Sequence, residues 1–358
     1  MSYPKLVFDL NKLKKNLDVL GKACHDGGST MMIVTKSFCA DPQVTSIIDG
    51  HPLVDYLADS RVKNLKKMAS LKKEKVLLRI PQASEIPEMI KYAHISFQSE
   101  PETLRLTDTE AGKQKCKHKV VLMIDLGDLR EGIFYKYENK IFDTVKQVLN
   151  SDNLILHGIG TNLTCYGAII PKPDNLSILV DIGRKIENKF QIKLDMISGG
   201  NSSSYYLLEK NELPLGINNL RLGEAFILGN ETAYGGRINE TYCDGVMLKA
   251  QIVELKEKPS MPIGECGVDA FGNKPVYEDR GVINRAILAV GQQDVDPSGI
   301  TPVDPTVDIL GASSDHMILD VSRSDNEYKV GDIMSFTLGY GGLLKLATSD
   351  YVEKEYKK

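Results

Sequence analysis

Eight short runs rich in β-branched and aliphatic residues recur along the first two-thirds of the chain, each separated from the next by a longer polar or helix-periodic stretch. They are MMIVT before Lys36, VDYLA before Asp59, KVLLRI before Pro81, HISF before Gln98, VVLMID through Asp125, LILHGIG before Thr161, LDMIS through Ser198 and NLRLG through Gly223. A strand at Lys5 to Phe8 and a helix over Asn11 to Ala23, with Leu13, Leu17 and Leu20 on one face, precede them. Parallel strands need a crossover between them, and eight such units close into a ring whose interior side chains just fill it. The alternation therefore predicts an α/β fold, a (β/α)8 TIM barrel. Beyond about Glu231 the helical periodicity gives way to short apolar runs (VMLKAQIVEL, AILAV, HMILDV, IMSFTL) punctuated by Gly, Pro and Asp. This predicts a barrel over residues 1–236 and a smaller C-terminal all-β domain over residues 237–358, with the charged tail YVEKEYKK as a solvated end.

In such a barrel the chemistry sits on the loops that follow the carboxyl ends of the strands. Here those loops carry Lys36, the run D-L-G-D-L-R ending at Arg130, Asn162, the polar cluster Ser198 to Ser204, and Arg221 to Gly223. A strand leads Lys36 straight into the rim, where desolvation lowers an amine's pKa and readies it for a Schiff base with a carbonyl cofactor. A lysine snorkelling from a strand end into water has the same local sequence. The run S-G-G-N-S-S-S combines close backbone approach, hydroxyl donors and a helix start, which is how a barrel grips a phosphate; a flexible Gly/Ser loop is the plain alternative. Arg221 cannot lose its proton near neutrality, so facing a pyridine nitrogen it would donate a hydrogen bond without protonating the ring; a rim salt bridge is its ordinary use.

Composition narrows the ligand class. Forty-four basic and forty-eight acidic residues leave a net charge of -4 with no basic block, which argues against a nucleic-acid partner. No window approaches the ~18 apolar residues of a membrane span, and the opening MSYPKLVFDLNKLKKNL lacks a signal-type stretch. Six scattered cysteines without a C-x-x-C pair predict reduced thiols, no disulfide and a cytoplasmic location. The six histidines show no spacing suited to a metal site, so no metal is expected.

The segments PKLVFDLNKLKKNL, MMIVTKSFCA, DLGDLREG, GTNLTCYGA, SGGNSSSYY, RLGEAFILG, ILGASSDHMILDV and GYGGLLKLATSDYVEK together resemble the alanine racemase-type, fold-type III pyridoxal-phosphate enzymes over essentially the whole chain. The resemblance implies pyridoxal 5'-phosphate held as an aldimine on Lys36, with Arg130 donating toward the ring hydroxyl and Arg221 facing the pyridine nitrogen. It implies a phosphate site of Ser198, Gly200, Asn201 and Ser202, the backbone around Gly223 and Glu224, and the hydroxyl of Tyr340. It further implies a racemase working on a free amino acid as a head-to-tail homodimer, each active site completed by the partner's β domain. Ornithine is the favoured substrate and lysine the second.

Two departures from the alanine-specific pattern stand out. Where that pattern has a tyrosine base in G-Y-A-D-G, this chain reads G-Q-Q-D-V-D and offers Gln292; Asn162, among the cofactor-contacting positions, replaces a histidine. The second base must lie elsewhere. Asp315 and His316 in G-A-S-S-D-H are candidates from the partner, Asp315 equally as a group that binds a distal ammonium together with Asp294; Cys165 and Tyr166 are further candidates from the sixth loop. A basic amino acid decarboxylase of the same fold is disfavoured by Arg221, where a carboxylate is expected, and by Ser314 in place of a cysteine. A non-catalytic carrier of the cofactor is disfavoured by the long β domain.

Overall fold

The computed structural model describes residues 2–358, which divide into two units. One is Lys12–Tyr242; the other joins the residues up to Asn11 to Cys243–Lys358. The first strand, β1 (Lys5–Asp9), belongs to the second unit. The first unit holds β2 (Thr30–Val34), β3 (Tyr56–Asp59), β4 (Glu74–Leu77), β5 (Ile95–Gln98), β6 (His118–Asp125), the short β7 (Ile133–Phe134), β8 (Leu154–Gly160), β9 (Met196–Ser198) and β10 (Asn219–Leu222). Apart from β7, which pairs only with β6, they form a parallel ring in the order β2-β3-β4-β5-β6-β8-β9-β10, closed by pairing of β10 with β2. This is the (β/α)8 barrel that the alternation predicts, and all eight expected runs fall on its strands.

Period-two alternation sends one face of each strand inward. Met32, Val34, Ala58, Val76, Ile95, Phe97, Val121, Met123 and Met196 make one buried cluster inside the ring. Each large apolar side chain buried this way contributes roughly 1.5–3 kcal/mol. On β8 the inward positions are glycines for a steric reason: a Cβ on Gly158 would lie 1.9 Å from the Met196 carbonyl oxygen. One on Gly160 would sit 3.1 Å from the Phe97 ring. The pairing of β6 with β8 carries a register shift between Val120 and Val121.

The second unit is built on β11 (Val246–Pro259), β12 (Val282–Leu288), β13 (Ile300–Pro302), β14 (Asp308–Ala312), β15 (Met317–Asp320), β16 (Ile333–Leu338) and β17 (Glu353–Lys357). Its sheet runs β13-β16-β11-β12-β15-β14, with β1 antiparallel to β11 and parallel to β17. Two expectations need correction here. The opening strand pairs in this sheet and not with the barrel. The charged tail is an edge strand, tied down by Lys5 to Glu355 at 2.7 Å and by Phe8 stacked on Tyr356 at 5.8 Å. Beside its sheet the domain carries the helix Tyr340–Thr348. The contacts divide the chain at Tyr242 and Cys243, six residues beyond the expected boundary, because the turn-rich segment after Glu231 folds back on the barrel unit: Asn16 Nδ2 donates to the carbonyls of Phe226 and Tyr242 at 2.9 Å each. Among the described residues no helix is long and apolar enough to cross a membrane.

Candidate active site

β2 stops at Val34, and the next side chain fixes the turn. Thr35 Oγ1 donates to Asp59 Oδ2 at 2.6 Å and to the Ala58 carbonyl at 3.1 Å, lacing the ends of β2 and β3. The chain then enters the 3-10 turn Lys36–Phe38, so Lys36 starts at the carboxyl rim. Lys36 is exposed as a residue, yet its amine is partly withdrawn from water. This desolvation lowers the Lys36 pKa below the ordinary lysine range. The Arg130 charge acts in the same sense; Cys165, Asp59 and Glu131 oppose it. Burial likewise raises the Asp59 carboxyl above its usual range, against hydrogen bonds from Thr35, Arg61 and Asn64.

Arg221, on β10, is 4% exposed. Its Nη1 donates to Ser198 Oγ at 2.6 Å, and its Nη2 to the Thr161 carbonyl at 2.6 Å and to Asn162 Oδ1 at 3.4 Å. The guanidinium lies 5.1 Å from the centroid of the Phe97 ring, a cation–π contact. All three oxygens are uncharged, so its direct partners are dipoles and a ring face, while the charges of Glu131 and Arg130 act on it through space. Desolvation pulls its pKa down to about 10, which leaves it protonated at neutral pH.

After β9 the chain turns through Gly200 at φ +112, and the Ser/Gly run folds into the 3-10 turn Ser202–Ser204. Asn201 builds that turn: its Oδ1 accepts from the Ser203 amide at 2.8 Å, and its Nδ2 donates to Asn162 Oδ1 at 3.0 Å and the Leu163 carbonyl at 2.9 Å. Ser202 Oγ accepts from the amides of Gly223 at 3.2 Å and Ala225 at 3.1 Å, joining this loop to the start of the helix Glu224–Leu228. Ser198 departs from expectation. Its hydroxyl donates to Asn219 Oδ1 at 2.6 Å and accepts from Arg221, so its single proton supports the arginine and not a phosphate. Glu224 is half-buried, and burial raises its pKa to about 7, with Glu231 adding to the rise. Ser203 Oγ, Thr161 Oγ1 and Asn162 Nδ2 are buried without a hydrogen-bond partner.

The loop after β6 brings Arg130, whose guanidinium donates to both carboxylate oxygens of Glu131 and to Cys165 Sγ. Asp128, 1% exposed, shapes the loop after β8: its carboxylate accepts the amides of Tyr166 at 3.0 Å and of Cys165 and Ile169 at 3.3 Å. The barrel mouth thus gathers Lys36, Arg130, Asn162, Ser198, Gly200, Asn201, Ser202, Arg221, Gly223 and Glu224. Asp315, His316 and Tyr340 lie in the other unit. Asp315 is 70% exposed, accepts from Ser314 Oγ at 2.9 Å and has His316 Nδ1 at 3.7 Å; the Ser314 bond holds its carboxyl below the usual range. Tyr340 opens the helix Tyr340–Thr348. Asp294 is buried and accepts from Ser349 Oγ at 2.7 Å, so it is not presented beside Asp315. The sequence singles out none of Thr35, Asp59, Thr161 and Asp128 as site residues and offers Ser203 only within the Ser198 to Ser204 run; these are polar groups buried at strand ends or in the turns just after them, a pattern visible only once the strand ends are placed.

Comparison with known proteins follows the same lines. Residues 8–230 match the family described as alanine racemase, N-terminal domain. The chain is 53% identical over 353 residues to the ornithine racemase of Acetoanaerobium sticklandii, covering 99% of each, and 37% identical over 359 residues to the lysine racemase of Thermotoga maritima, covering 100% of this chain and 99% of that one. In structure it is similar to the alanine racemase of Clostridium difficile 630 (TM-score 0.75, 16% identity, 100% and 96% covered). It is equally similar to that of Bartonella henselae with covalently bound pyridoxal phosphate (TM-score 0.75, 13% identity, 100% of both chains covered). A barrel match over most of its length and full-length relatives well above 30% identity place this chain in the alanine racemase family.

Proposed function

We propose that this protein is a pyridoxal 5'-phosphate-dependent amino acid racemase that interconverts L- and D-ornithine, with lysine as second substrate, acting as a cytoplasmic homodimer. The observation that carries the reading is the set of groups at the barrel mouth: a crowded amine, a buried arginine without a carboxylate, and a Ser/Gly turn with buried polar atoms left unpartnered. Buried donors normally find partners, and Ser203 Oγ, Thr161 Oγ1 and Asn162 Nδ2 suit a ligand rich in acceptors. When bound, the cofactor supplies an electron sink for negative charge at the α-carbon of an attached amino acid.

The chain's residues do the rest. Lys36, its pKa lowered by desolvation, would hold the cofactor's aldehyde through its amine and carry a proton to and from the α-carbon. Arg221 would stay charged facing a pyridine nitrogen and would donate a hydrogen bond to it without giving up its proton, tempering the electron sink the cofactor supplies. Ser198 acts by orienting Arg221. Ser202, having accepted the amides of Gly223 and Ala225, keeps its O–H for an oxyanion, and Asn201 shapes the turn so that backbone amides from Gly200 onward, with that of Glu224 beside Gly223, would complete the anion site on the barrel. Arg130 would donate to the ring hydroxyl. The exposed Asp315 and His316 would enter the partner's site, Asp315 to meet the distal ammonium of ornithine. The names of both curated relatives specify basic amino acids, which supports this substrate class, and the free thiols of all six cysteines suit a reducing compartment.

Incubation of the holoprotein with L-ornithine, L-lysine and L-alanine in deuterium oxide tests the reading. The expected result is α-deuteration with loss of optical rotation, fastest for ornithine. Release of carbon dioxide would move the protein to the decarboxylases, and absence of exchange with all three would make it a carrier.

A further inference from the structure

Racemisation requires a proton carrier on each side of the α-carbon, and Lys36 supplies one. Gln292, at the position where the alanine-specific pattern has its tyrosine, has no titratable proton. We infer that Cys165 is the second proton carrier, an inference that rests on the racemase reading above.

Three observations converge on it. First, Cys165 reaches the same mouth as Lys36 from another wall: Lys36 follows β2 and Cys165 follows β8, and β9 and β10 stand between those strands around the ring. The two groups also share one electrostatic neighbourhood, since Lys36 feels the charges of both Cys165 and Arg130. Second, the thiol has a cationic partner. Arg130 donates through Nη1 to Cys165 Sγ, while its other nitrogens engage Glu131. That hydrogen bond fixes where the sulfur sits, and a cysteine sulfur is able to carry a proton to and from carbon. Third, the loop is built. Asp128 is almost wholly buried, and its carboxylate is spent on the amides of Cys165, Tyr166 and Ile169. The backbone of Asp128 also closes on Gly167, where a Cβ would lie 2.7 Å from the Asp128 carbonyl oxygen. A side chain on an otherwise exposed loop is thereby held in register with Arg130.

The proton inventory is complete without an added reagent. In one direction the Cys165 thiolate takes the α-proton: the C–H bond breaks, an S–H bond forms, and the electron pair stays on carbon. The Lys36 ammonium then delivers its proton to the other side of that carbon. In the reverse direction the neutral Lys36 amine removes the proton and the Cys165 thiol returns one. Each full cycle leaves one group protonated and the other not, so ordinary exchange with water resets the pair.

The test uses the holoenzyme and the variants Cys165→Ser and Cys165→Ala, with visible absorbance showing that each retains its cofactor. Conversion between ornithine enantiomers should fall about 100-fold or more, the usual span of an acid–base group, while one enantiomer alone still exchanges its α-proton with deuterium oxide through Lys36. A readout independent of turnover is the alkylation of Cys165 by iodoacetamide, followed by peptide mass spectrometry. Bound ornithine should protect Cys165 in the holoenzyme. Racemisation by Cys165→Ala within a few-fold of wild type, or alkylation of Cys165 that saturating ornithine leaves unchanged, would overturn the inference. A wild type that racemises nothing would instead remove the racemase reading.

Discussion

At the scale of single residues, the strongest commitment is a buried arginine without a counter-ion. Arg221 is held by Ser198 Oγ, the Thr161 carbonyl and Asn162 Oδ1, geometry that the planar fork of a guanidinium meets and a lysine ammonium cannot. Replacement by lysine would leave acceptors unsatisfied in a buried site, at about 1–3 kcal/mol for each unmade bond. The expected outcome for Arg221→Lys is a loss of about 2 kcal/mol in denaturant unfolding together with weaker cofactor retention; unchanged stability would mean that the fork is not needed. Arginine in an NLRLG run is legible as a rim residue, since strand and loop are both visible there. Its partners were less so. Thr161 contributes a carbonyl, which every residue has, and Ser198 was read as a phosphate ligand because its hydroxyl could face either way until Asn219 was placed at 2.6 Å.

At the scale of elements, sequence periodicity located every barrel strand, often within two residues, because a parallel strand buried on both faces is an apolar run bounded by turns. It failed where pairing is remote. The strand Glu353–Lys357 consists largely of charged residues, and only its partner near the other end of the chain, with Lys5 opposite Glu353 in the register, makes it a strand. The composition of the run after β9 makes a turn legible there, and the geometry of that turn allows a sharp prediction. Gly200 has φ +112, and a Cβ there would lie 2.7 Å from Ser204 Oγ, which is itself tied to the Gly199 carbonyl at 2.7 Å. Gly200→Ala should therefore cost about 1–3 kcal/mol in backbone strain and speed cofactor loss on dialysis, followed by visible absorbance. An alanine variant that keeps its cofactor as wild type does would show that this turn tolerates relaxation away from the phosphate site.

At the scale of the whole molecule, the barrel separates its chemistry from its foundations. The reactive groups occupy the carboxyl ends of the strands, whereas the amino ends collect histidines that burial keeps neutral. His118, which opens β6 and shares a hydrogen bond of 2.9 Å with Ser96 Oγ, has its pKa lowered to about 4, by desolvation first and then by His94. Desolvation also lowers His94 and His157, and the Nε2 of His157 is buried without a partner. For a group whose folded pKa lies below its unfolded value, the unfolded chain binds more protons between the two values. The resulting stability is complete above pH ~6.5 and is lost as the pH falls toward ~4. For His118 the full span corresponds to about 3 kcal/mol. Denaturant unfolding of the wild type and of His118→Asn at pH 7, 5.5 and 4.5 isolates this contribution, since carboxylate titrations are shared by both proteins. The wild type should lose about 2.4 kcal/mol more than the variant between pH 7 and 4.5, and parallel losses would show that His118 does not couple barrel stability to acid. Because the histidines stand at the end opposite Lys36, this acid sensitivity should appear in unfolding without shifting the pH dependence of turnover, which the mouth residues set.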